Sequence, residues 1–122
     1  MGPFESAIRN KVSIGSELHT PAQGKPFEVG VIDSDGLVLL LGAKRAHTRF
    51  TWQVIEGINS EFDHKGWIEL GGSYDANGRP GTLDAYLKQS VHRNTASWMA
   101  ALLEAAGLIE IDRSTPCQMR LV

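Results

Sequence analysis

Lys44, Arg45, His47 and Arg49 gather three full positive charges and one titratable imidazole within six residues, with Phe50 and Trp52 directly behind them. Cations beside aromatic rings suit a phosphate backbone or single-stranded nucleic acid. A second basic group comprises Arg79, Lys88, His92 and Arg93, with Asp84 as the nearby acid that would offset it. Lys88 and His92 are four residues apart, so on a helix they share a side. The ordinary reading of both groups is a solvated charged face.

The remaining chemistry-bearing residues point elsewhere. Asp33 and Asp35 could pair as carboxylates, but Asp33-Ser34-Asp35-Gly36 reads more simply as a turn in which Asp side chains bond to nearby amides. His19, His47, His64 and His92 have no short ligand spacing, and Glu61-Asp63-His64 near a helix end is a common polar cluster. Cys117, the single cysteine, excludes an internal disulfide and a four-cysteine zinc site and reads as a buried thiol. No serine stands in a Gly-x-Ser-x-Gly setting, and the glycines around Gly71-Gly72 and Gly78–Gly81 lack the Lys-Ser/Thr of a phosphate loop. No cofactor, metal site or catalytic group is expected.

These residues must be positioned by a chain of 122 residues, 42% hydrophobic and 21% charged, with net charge -2. That describes one core-forming domain and excludes a histone-like basic tail. The longest apolar run, Leu37–Leu41, is far too short for a membrane span, and Met1–Glu5 opens no signal peptide, so a cytoplasmic protein is expected.

Phe4, Ala7 and Ile8 share a side at helical spacing, so Pro3–Asn10 reads as a short helix. Val12–Gly24 reads as loop with one edge strand. Phe27–Leu41 is a hairpin about the Asp33–Gly36 turn, Gly36 being suited to positive φ. Its return strand, Leu37–Leu41, is apolar on both faces and asks for cover from helices or a partner subunit. Lys44–Arg49 reads as a polar linker. Trp52, Ile55, Asn59 and Phe62 then recur at helical spacing, with Thr48 or Thr51 as cap. Trp67–Leu70 has strand character, and Gly71–Gly81 is a loop.

Thr82 caps the next helix, which buries Leu83, Leu87 and Val91. The phase of Leu87, Val91, Trp98, Leu102 and Ala105 favours one continuous helix to Ala106. The polar stretch His92-Arg93-Asn94-Thr95 favours a break with a fresh N-cap, and the break is adopted here. Gly107 ends the helix, Leu108–Asp112 alternates as a strand, Ser114-Thr115-Pro116 turns, and Cys117–Val122 returns antiparallel. The three tryptophans, Trp52, Trp67 and Trp98, read as core. The fold expected is α+β: an N-terminal hairpin, antiparallel sheet and two or three packed helices.

From Trp52 onward the order is helix, short strand, helix, turn, helix, strand, strand. This order resembles a winged-helix module over roughly the last 70 residues. The resemblance implies DNA binding, with helix Thr95–Ala106 in the major groove and phosphate contacts from Arg79, Lys88, His92, Arg93 and Arg113. That helix carries no Lys or Arg, so base contacts would fall to Thr95 and Ser97. The expectation is a small non-enzymatic binding module, DNA-binding or regulatory. The alternative is a homodimeric protein-interaction or small-molecule-binding protein.

Overall fold

A computed structural model describes residues 1–71, 78–114 and 116–122. The loop expected at Gly71–Gly81 falls largely outside the described residues, as does Thr115 of the expected Ser114–Pro116 turn. The fold is α+β. Its elements in chain order are α1 (Pro3–Lys11), β1 (Glu17–His19), β2 (Pro26–Ile32), β3 (Gly36–Leu41), β4 (Ala46–Thr51), α2 (Trp52–Phe62), β5 (Ile68–Glu69), α3 (Leu83–Lys88), α4 (Ala96–Ala105), β6 (Ile109–Asp112) and β7 (Gln118–Leu121). They form two antiparallel sheets, one ordered β1-β2-β3-β4 and the other β5-β7-β6.

The hairpin β2–β3 forms as the alternation demands. Asp33 Oδ1 accepts from the amides of Asp35 at 2.9 Å and Gly36 at 3.0 Å. Gly36 is not at positive φ, contrary to expectation. Glycine is required there for a different reason, since a Cβ would lie 2.1 Å from the Phe50 carbonyl oxygen of the neighbouring strand. The turn is also held from outside: the Asp33 carbonyl accepts from Arg9 Nη2 at 2.7 Å and from Trp52 Nε1 at 2.8 Å.

The polar segment Lys44–Arg49 is not a linker. Gly42 to Arg45 form a turn, and the chain continues as β4, pairing with all of β3 from Gly36↔Thr51 to Leu41↔Ala46. Thr48 and Phe50 point inward and are buried, while His47, Arg49 and Thr51 are exposed. This alternation of period two is that of a strand with one wet face.

β4 supplies part of the cover that β3 needs. Leu37 and Leu39 are fully buried in a cluster that also holds Ile55 and Ile58 of α2 and Met99, Leu102 and Leu103 of α4. On the other face, Val38 is flanked across the strands by Val31 and Arg49 and is 8% exposed. Most of the apolar run is therefore covered within the chain, with Leu40 left half-buried.

α2 has the expected bounds, capped by Thr51, whose Oγ1 accepts from the Val54 amide at 3.2 Å. The break between α3 and α4 is present, although α3 stops at Lys88 rather than Val91. Thr95 occupies the N-cap position of α4 but makes no capping hydrogen bond. Gly107, at φ 75°, follows the last turn as a left-handed terminator. Among the described residues no helix is long and apolar enough to cross a membrane.

Candidate nucleic-acid-binding groove

The first basic group is split by its own strand. Lys44 and Arg45 sit in the β3–β4 turn, whereas Arg49 lies about 13 Å further along an extended chain, toward the Asp33 turn. There it makes a two-pronged contact, Nη1 to Asp33 Oδ1 at 3.2 Å and Nη2 to Oδ2 at 3.0 Å. Arg49 and the amides of Asp35 and Gly36 hold the Asp33 carboxyl down at about 2, and Asp33 in turn raises Arg49. Arg45 donates to Glu28 Oε1 at 2.7 Å. Lys44 and His47 are exposed and make no ion pair among the described residues.

The second group does not assemble as a surface either. Arg79 pairs with Glu69. Arg93 is exposed and donates from Nη2 to Thr48 Oγ1 at 2.6 Å, tying the α3–α4 connection to β4. His92 is exposed beside it. Lys88 is 6% exposed, with Nζ 3.0 Å from Asp84 Oδ2. Thr95 is 1% exposed. In this conformation neither Lys88 nor Thr95 reaches a phosphate or a base edge. Both were read as accessible because a polar side chain on a helix flank gives no signal of burial until a second layer covers it.

What the fold does bring together lies at the N-terminal end of α4. Three adjoining cavities form one groove there. One, of about 510 Å³, runs between Arg45, Leu40, Phe27 and Trp98. The second, of about 430 Å³, lies between the β1–β2 turn (Thr20, Gln23, Lys25) and Asn94, Ala96, Ser97 and Trp98. The third, of about 250 Å³, is bounded by Ser97, Arg79, Arg113 and Cys117. Lys25 and Trp98 are common to the first two, and Ala22, Gly71 and Ser97 to the last two.

The electrostatics of this groove are lopsided. Lys25, Arg45, Arg79 and Arg113 border it, and Glu17 is the only carboxylate among the described lining residues. Arg45, Arg79 and Arg113 have carboxylate partners. Arg113 grips both oxygens of Glu104, at 2.9 and 2.6 Å, and its pKa is raised by that contact. Such exposed pairs are worth about 0–1 kcal/mol each, so exchange of a carboxylate for a phosphate costs little. Lys25 is exposed and has no ion pair among the described residues. The first amides of α4, on Ala96, Ser97 and Trp98, have no acceptor within the helix, and this end carries partial positive charge.

Of the sequence-predicted residues, the groove takes Arg45, Arg79, Ser97 and Arg113 and leaves out Lys44, His47, Arg49, Lys88, His92, Arg93 and Thr95. Lys25 and Trp98 were missed as site residues. Lys25 stands alone between Gly24 and Pro26, and Trp98 carries the spacing of a core residue. Trp98 is half-buried, its ring edge-to-face with Phe27 at 5.3 Å between centroids. Among the described residues no three His, Cys, Asp or Glu side chains converge. No protein-family model matches the chain, nor does any curated protein or solved structure.

Proposed function

We propose that the chain is a small nucleic-acid-binding module, with a winged-helix-like part from Trp52 to Val122, that grips a phosphate backbone along the groove at the N-terminal end of α4. The observation that carries this reading is the groove itself: Lys25 without an ion pair among the described residues, three arginines in exposed, exchangeable pairs, and the open end of a helix between them. Support for the winged-helix-like part comes from the element order and from β5 pairing with β7 rather than with β6.

The mode of contact differs from insertion of α4 into a major groove. Within Ala96–Ala105 only Ser97, Trp98, Glu104 and Ala105 escape full burial. A helix face offering one hydroxyl, one indole and one carboxylate has none of the side chains that read guanine bidentately. Backbone binding beside the helix, by Lys25 and the arginines, places cations where anions would lie.

Fluorescence anisotropy with labelled mixed-sequence oligonucleotides, single-stranded and duplex, tests this. Binding of at least one form near the micromolar range is expected at about 50 mM salt, weakening at least tenfold by about 200 mM. Lys25→Glu should weaken it roughly tenfold, and the same reversal at Lys65, outside the groove, should leave it within about twofold. Absence of binding to either form at the lower salt overturns the proposal.

A further inference from the structure

The two cavities that share Trp98 and Lys25 are chemically unlike. The larger has an apolar and aromatic wall of Pro26, Phe27, Leu40, Ala43 and Trp98, with Glu17, Lys25 and Arg45 as its charged lining. The smaller is walled by hydroxyl, amide and ammonium groups, among them Thr20, Gln23, Lys25, Asn94 and Ser97. Each lies within or near the size range of small-ligand pockets, roughly 300–1,000 Å³. An apolar chamber joined to a cationic one across an indole fits a ligand with a flat, weakly hydrated end and an anionic end.

We infer that this double chamber takes one unstacked nucleotide unit, the base lying against Trp98 in the apolar chamber and the phosphate held by Lys25 in the polar one. The inference rests on the proposed function and narrows it, because a base can enter the chamber only when it is not stacked in a duplex. Trp98 suits the role because the edge-to-face contact with Phe27 fixes its ring before anything binds. A ring already immobilised loses little freedom on stacking, and base–aromatic stacking tolerates any base. The phosphate end has three independent contributors: the Lys25 ammonium, which no carboxylate among the described residues neutralises, the side-chain amide of Asn94, and the free amides at the start of α4. The same chemistry could be offered by a strand or by a free nucleotide.

The experiment uses the full chain and a labelled 12-residue oligothymidylate, a mixed-sequence duplex of equal length, and thymidine monophosphate as competitor. Trp98→Leu keeps an apolar side chain but removes the stacking face. Ala43→Trp fills the apolar chamber from the exposed β3–β4 turn, where folding is least at risk. Both variants are first checked for an unchanged unfolding midpoint. The single strand should bind at least tenfold tighter than the duplex, and each variant should weaken the single strand about tenfold while leaving duplex binding within twofold. Displacement by the mononucleotide at a concentration near the oligonucleotide's own Kd supports a free-nucleotide source. Displacement only at concentrations a hundredfold higher or more supports a strand. Equal affinity for the two oligonucleotides, unaffected by either variant but reduced by Lys25→Glu, overturns the nucleotide-unit inference and leaves phosphate binding intact. No binding of any probe overturns both.

Discussion

Lys88 Nζ lies 3.0 Å from Asp84 Oδ2, one helical turn away on α3, and both side chains are buried. Gly71 and Gly78 pack against Asp84: a Cβ at Gly71 would lie 2.8 Å from Asp84 Cβ, and one at Gly78 would lie 2.9 Å from Asp84 Oδ2. Asp84 Oδ1 has no hydrogen-bond partner among the described residues. A charge kept this dry depends on its counter-charge, and replacing Asp84 takes one buried partner from Lys88.

Asp84→Ala should therefore cost about 3–5 kcal/mol, whereas the paired replacement Asp84→Leu with Lys88→Met should cost less than the single change. Urea unfolding of the three chains measures this. A loss below about 1 kcal/mol for Asp84→Ala would mean that Lys88 finds solvent or another anion as readily.

The acid limb of stability should depend on Asp33. Its folded pKa of about 2 lies below the unfolded value, so its bonds to Arg49, Asp35 and Gly36 contribute above the unfolded value. That contribution is lost as pH falls toward the folded value. Asp112, lowered by the hydroxyl and amide of Ser114, acts with the same sign. The urea midpoint should fall between pH 5 and pH 2, and Asp33→Asn should flatten that fall while lowering the midpoint at neutral pH. Parallel curves for the two chains would show that Asp33 is not the titrating group.

Gly57 and Tyr86 should be strongly non-additive. Tyr86 Oη donates to the Val54 carbonyl at 2.6 Å, and a Cβ at Gly57 would lie 2.1 Å from Tyr86 Oη. Alanine gains about 1 kcal/mol in helix propensity but must displace the ring, at about 1–3 kcal/mol, so Gly57→Ala should destabilise. With Tyr86→Phe already present the clash with the hydroxyl is removed and the ring carbon at 3.3 Å becomes the nearest atom, so Gly57→Ala should cost much less or become neutral. A double-mutant cycle by thermal or urea unfolding gives the coupling, and additivity within about 0.3 kcal/mol would refute the contact.

Three threonines at helix starts should behave differently. Thr51 and Thr82 accept from the amides of Val54 and Ala85, at 3.2 and 3.1 Å, so replacement of either by alanine should cost about 1 kcal/mol. Thr95 Oγ1 is buried with no hydrogen-bond partner among the described residues. Thr95→Val keeps the shape and removes an unsatisfied group, so it should be neutral or stabilising by about 1 kcal/mol. A loss comparable to Thr51→Ala would assign the Thr95 hydroxyl a role in holding α4.

The sequence by itself determined the elements whose pattern is local. Phe27–Leu41 alternates about an Asp-rich turn, Trp52–Phe62 repeats at helical spacing behind a threonine, and both occur with those bounds or nearly so. The α3–α4 break was legible because His92–Thr95 offers polar side chains where a buried stripe should continue. β4 was misread because its outward residues, His47 and Arg49, are charged or titratable, and charge density hid the alternation with Thr48 and Phe50.

Burial and convergence were decided only by tertiary structure. Lys88 looks like a surface cation until the tertiary fold buries it beside Asp84. Lys25 and Trp98 meet because the β1–β2 turn is carried on one sheet to the start of a helix far along the chain. No local spacing encodes that meeting. It follows from the burial of α4 against both sheets, and hydrophobic burial is non-directional and acts across any separation in sequence.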